Sequence, residues 1–142
     1  DTDRSRGLGD VYKRQVYAIA HWPGKIVFAG REIGHTIFVG DRLKDTPIDN
    51  PVRRAYQLHR ERAKVEHWNH HTADPTAVLL AVRGILNYWN LSECGYIDIK
   101  NNCSFVWKDH SEGNQRYIKQ KMDRGRLGRI LEDLMVIPPD KH

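Results

Sequence analysis

The chain has 142 residues, 39% of them hydrophobic, with four Trp and six Tyr, which gives room for one small packed domain and argues against a disordered tract. Its formal charge of +5 comes from 23 basic residues scattered among 18 acidic ones, so no basic stripe of the kind that grips nucleic acid stands out, and no nucleic-acid partner is expected. No apolar run approaches the ~20 residues of a membrane-spanning helix, so no membrane partner is expected either.

In chain order, Ser5 to Gln15 reads Ser-Arg-Gly-Leu-Gly-Asp-Val-Tyr-Lys-Arg-Gln, and all eleven residues resemble the translation of one frame of a DNA adapter used in sequencing libraries. Residues 1–15 are therefore set apart as adapter-derived, and residues 16–142 are read as the protein proper. Val16 to Trp22 has the pattern of the end of an amphipathic helix stopped by Pro23-Gly24. Lys25 to Ala29, with Ile-Val-Phe-Ala between glycines, predicts a buried strand. Glu32 to Val39 is open between strand and helix, and Gly40 to Asn50 is a loop. Pro51 to about Lys64 predicts a helix capped by Asn50, with Val52, Ala55, Tyr56 and Leu58 on one face.

Glu66 to Thr72 is a polar, His-rich loop. It leads into a second helix that starts at Ala73 or Asp74 and is apolar enough over Thr76 to Val82 to be buried on most sides. The alternation of Gly95 to Lys100 and the run Ser104 to Lys108 predict two strands joined by a turn at Asn101-Asn102. Asp109 to Asn114 is a second turn, and Arg116 to Met122 a short strand. Gly125 to Met135 predicts a last helix, with Leu127, Ile130, Leu131 and Leu134 at helical spacing. The fold class expected is α/β. Cys94 and Cys103 bracket the strand pair and can either pair or stay as thiols.

The sharpest cluster is His67-Trp68-Asn69-His70-His71-Thr72-Ala73-Asp74-Pro75. A carboxylate at a helix start either caps the first turn or serves as a ligand to a hard cation. Asp74 is the metal-ligand candidate, His70 and His71 are catalytic candidates, and Asn69 is a substrate-contact candidate. His67, His70 and His71 also allow a zinc reading, although the segment reads as loop and no recognised ligand pattern is complete. Glu32, just after the first apolar run, is either a second substrate-contact candidate or the partner of Arg31 or another Arg in a structural ion pair. Trp22, Tyr88, Trp89 and Trp107 are expected in core or hairpin packing.

Four blocks in this order resemble the nucleoside hydrolase family, in a nucleoside-hydrolase-like branch: Lys25-Ile-Val-Phe-Ala-Gly-Arg-Glu-Ile-Gly34, Asp49-Asn-Pro-Val-Arg-Arg-Ala-Tyr56, Ala73-Asp-Pro-Thr-Ala-Val-Leu-Leu-Ala-Val-Arg-Gly84 and Asn114-Gln-Arg-Tyr117. The resemblance covers nearly all of 16–142 and is to the C-terminal portion of that family, so the domain is expected to be truncated at its N-terminus. It implies an open Rossmann-like α/β sheet with its site at the strand ends, a small β-hairpin region and a C-terminal helix. It also implies a Ca²⁺ ion held by an N-terminal aspartate cluster and by a late aspartate, which Asp74 matches. The implied reaction is hydrolysis of a ribonucleoside at its N-glycosidic bond by cation-activated water, through an oxocarbenium-like transition state.

Two departures qualify that resemblance. Ala73 stands where well-known members carry a His that handles the leaving base, so either His70 or His71 substitutes from nearby or the branch uses a different leaving-group strategy, and residues 16–142 hold no counterpart of the aspartate cluster or of the ribose-binding loop. The expectation is therefore a hydrolase parent, compatible with a homo-oligomer, acting on small ribonucleosides, and a fragment that is inactive by itself. The rivals are a non-catalytic nucleoside- or carbohydrate-binding relative and a small His-rich metal-binding protein. The preferred base and the compartment, whether bacterial cytoplasm, periplasm or secreted, stay open.

Overall fold

The computed structural model describes residues 13–100 and 104–138. Most of 1–15, the turn at Asn101-Asn102 and Cys103 lie outside the described residues. The fold is mixed α/β, as expected, but its contacts divide the chain into two compact units rather than one. The first unit takes the chain up to Phe28 together with Leu91–Tyr117, and the second takes Ala29–Asn90 together with the chain from Ile118 on.

In the first unit, helix α1 (13–21) stops just before Pro23-Gly24, where proline cannot continue the backbone ladder, and Lys13, Arg14 and Gln15 are exposed on it. Strand β1 (Ile26–Phe28) runs parallel to the strand numbered β7 (Gln115–Gln120), in register from Ile26↔Gln115 to Phe28↔Tyr117. The expectation that β1 is buried is corrected: it lies at an edge of the sheet, and Val27 is exposed. An unbroken apolar run suits a strand covered on both faces, and this strand lacks that cover. Strands β5 (Gly95–Ile99) and β6 (Phe105–Asp109) form the expected antiparallel pair, from Gly95↔Asp109 to Ile99↔Phe105.

The sheet order is β1-β7-β5-β6, with β4 (Trp89–Leu91) also on β7. Backbone pairing between β5 and β7 is recorded at Gly95↔Gln115, and the Gln115 side chain extends it by accepting the Ile97 N–H at 2.8 Å. Nearby, Arg116 donates two N–H groups to the sulfur of Cys94, at 3.1 and 3.3 Å.

In the second unit the chain runs through α2 (Arg31–Gly34), β2 (Phe38–Val39), a 3₁₀ turn (Asp41–Asp45), α3 (Pro51–Ala63), β3 (His70–His71) and α4 (Ala73–Arg83), with α5 (Arg124–Val136) last. The ambiguous stretch after Ala29 is thus both helix and strand. All nine buried apolar side chains among the described residues belong to this unit, including Ile33, Ile37, Val39, Leu79, Leu127 and Leu131. Full burial of side chains of this kind is worth about 1.5–3 kcal/mol each. Asn50 caps α3 as expected, its Oδ1 accepting Val52 N–H at 2.9 Å and Arg53 N–H at 3.1 Å. Asp123 caps α5 in the same way, accepting Arg126 N–H at 3.0 Å.

One burial expectation changes. Helix α4 buries only Thr76 and Leu79, while Val78 and Val82 are 60% and 77% exposed and face an apolar groove of about 480 Å³ shared with Val52, Leu131, Leu134 and Met135. Helix α3 buries none of its residues, and Leu58 is exposed. Among the described residues no helix is long and apolar enough to cross a membrane.

Candidate functional site

The site begins with a close approach between α2 and the start of α4. A Cβ on Gly34 would collide with the Ala73 backbone, so glycine lets the two helices meet. Thr72 then donates its N–H to the carbonyls of both Gly34, at 3.0 Å, and Ile37, at 3.1 Å. This fixes the register of the short antiparallel pair, Phe38↔His71 and Val39↔His70. Gly40 turns the chain out of β2 at φ 128°, and a side chain there would come within 2.9 Å of the Tyr56 ring. Its N–H donates to the buried carboxylate of Glu132 on α5 at 2.6 Å.

This framework brings together imidazoles from three parts of the unit. The rings of His35 and His71 stack with centroids 4.0 Å apart, those of His71 and His70 lie 4.2 Å apart, and those of His70 and His59 lie 4.5 Å apart. Neighbours in a strand ordinarily face opposite sides, yet the rings of His70 and His71 touch, and both residues line the same hollow. That hollow holds about 440 Å³ and is bordered by Tyr56, His59, His70, His71, Asp74 and Pro75. Burial, followed by the proximity of His71, His59, His67 and His35, holds His70 below the ordinary imidazole range. Burial, His71 and Arg31 do the same for His35. Neutral imidazoles beside a carboxylate can exchange hydrogen bonds and protons with a polar ligand.

Asp74 is exposed in the first turn of α4 and borders both this hollow and the apolar groove. The alternative of Asp74 as the helix cap is corrected. Thr72 holds the cap position, with its N–H tied to Gly34 and Ile37 and without a side-chain cap bond. The remaining candidates separate. Glu32 is exposed with its carboxylate folded back against Gly30, and it forms no ion pair with a described residue, so the pairing with Arg31 is corrected too. Asn69 sits away from the hollow, donating to Asp41 Oδ2 at 2.6 Å. His67 Nδ1 lies 2.8 Å from the Asn69 carbonyl, which can only accept, so that nitrogen carries the proton.

The three-His zinc arrangement is not formed, since no group of three or more His, Cys, Asp or Glu side chains among the described residues is placed to hold a metal ion. Calcium takes about six to eight oxygen ligands, and among the described residues Asp74 is the only carboxylate bordering the hollow, so these residues do not by themselves fit a calcium ion. No family model, curated protein or solved structure matches this chain. The sequence singled out His70, His71 and Asp74, but it gave no sign of His35, Tyr56 or His59. Those residues reach the cluster only through the β2–β3 pairing and the packing of α3.

Proposed function

We propose that this chain is the C-terminal portion of a calcium-dependent nucleoside N-ribohydrolase with a Rossmann-like sheet, and that Asp74 is the carboxylate it contributes to the metal and ribose site. The observation that carries the proposal is the position of Asp74, accessible at the start of α4 and on the rim of a hollow lined by His70 and His71. A helix N-terminus favours a carboxylate there, and the hollow's volume of about 440 Å³ falls in the range of small-molecule sites. The parallel pairing of β1 with β7 is compatible with such a sheet.

One carboxylate cannot both hold a cation and supply a base, so no hydrolytic step is assigned to this chain's own residues. Purified chain is expected to leave inosine and uridine intact with calcium present, as followed by chromatography of the released base. In a longer product that carries an aspartate cluster, Asp74→Ala is expected to lower kcat/KM at least about 100-fold, beyond the about 10–100-fold typical of residues that only support a ligand. Turnover by this chain alone, or an unchanged rate in that variant, overturns the proposal. Ala73, in place of the His expected from the resemblance, favours a second reading as a nucleoside- or carbohydrate-binding relative. Calorimetric binding of uridine without turnover by the longer product would select it.

A further inference from the structure

We propose that the contiguous imidazoles of His35, His71, His70 and His59 form a proton-sensitive latch, which holds β3 against β2 and α3 while neutral and loosens that part of the second unit on acidification. The geometry is a continuous row of four rings, with successive centroids 4.0, 4.2 and 4.5 Å apart. The row joins the turn after α2, strand β3 and helix α3, beside the two-residue β2–β3 pair and the Thr72 N–H bonds to Gly34 and Ile37. Neutral rings at this spacing attract through their faces and edges. Two imidazolium ions in adjacent places would repel across a gap well inside the Debye length of about 8 Å, where salt screens little.

The groups that face the row do not offset this. Arg31 on α2 and His67 on the loop before β3 both add to the repulsion when charged. Tyr56 on α3 is held neutral, its phenol pushed up by burial and by Glu132. Glu32 on α2 is folded against Gly30, and Glu132 on α5 is engaged by the Gly40 N–H. Asp74 on α4 is solvated at the rim. His35 and His70 accordingly sit below the ordinary value of 6.5 in the folded chain. The unfolded chain therefore binds protons more readily. The stabilisation is fully present above pH 6.5 and is lost as pH falls through that value towards the lowered ones.

The test is urea unfolding at about pH 7.5 and about pH 5.5, on either side of the ordinary imidazole range. The unaltered chain is expected to lose midpoint at the lower pH. His70→Gln is expected to lose less than half as much, while His110→Gln, an exposed residue of the first unit, keeps the full loss. An unaltered chain with equal midpoints, or a His70→Gln variant as pH-sensitive as its parent, overturns the latch. Should that variant not fold, NMR titration of the imidazole ring protons in the unaltered chain decides. Mutually dependent titrations with His35 and His70 below 6.5 support the latch, and independent titrations of His35 and His70 at 6.5 overturn it.

Discussion

Asn50 shows how much a single side chain can organise. Its oxygen accepts the first free N–H groups of α3, and its Nδ2 donates to the Met135 carbonyl near the end of α5 at 3.3 Å. The residue is 3% exposed, so water cannot replace either contact. Asn50→Ala is expected to cost about 1–2 kcal/mol in urea unfolding, and Asn50→Asp, which keeps the acceptor, less than that. Equal stability of Asn50→Ala and the parent would mean the cap contributes nothing. The pair Asn50-Pro51 announced this cap because the whole interaction lies within a few residues. Asp74-Pro75 raised the same expectation, but the cap position lies two residues earlier, at Thr72, where the start of α4 is tied by bonds from Thr72 to Gly34 and Ile37, which local spacing cannot reveal.

Among the elements, the β5–β6 pair was the most legible. Tyr-Ile-Asp-Ile alternates with the period of a strand, and the structure holds that register throughout. Asp98 accepts from Lys100, two residues along, at 2.6 Å and from Lys108 across the pair at 2.7 Å, and these bonds pull its carboxyl down to about 2. A depressed carboxylate stabilises the fold above its ordinary value of 3.8, and that contribution is lost as pH falls towards 2. Asp98→Asn is therefore expected to leave the pH dependence between about 5 and about 8 unchanged and to flatten the acid limb below it, as read by circular dichroism during acid titration. A changed profile near neutrality would contradict this assignment. Helix α4 was legible as a helix and misleading as to burial, since an apolar composition records what a surface would favour and not whether a neighbour covers it.

At the scale of the whole molecule, the sequence conveyed the α/β class and the final helix, whose Leu127 and Leu131 are buried as their spacing implied, but it missed the short strands β3 and β4, which form by pairing with distant segments. It did not convey the division into two units, which depends on contacts between segments far apart in the chain. The imidazole row was hidden for the same reason, because His35, His59 and His71 come from separate elements. The bare flank of α4 has a practical corollary for anyone heating this protein in an assay. With Val78 and Val82 open to solvent, the native chain should take up a fluorogenic naphthalene-sulfonate probe before any melting begins, and Val82→Glu should dim that initial glow. A dark native sample would refute this. A bright one makes tryptophan emission the sounder readout, with Trp89 sealed from water as its reporter.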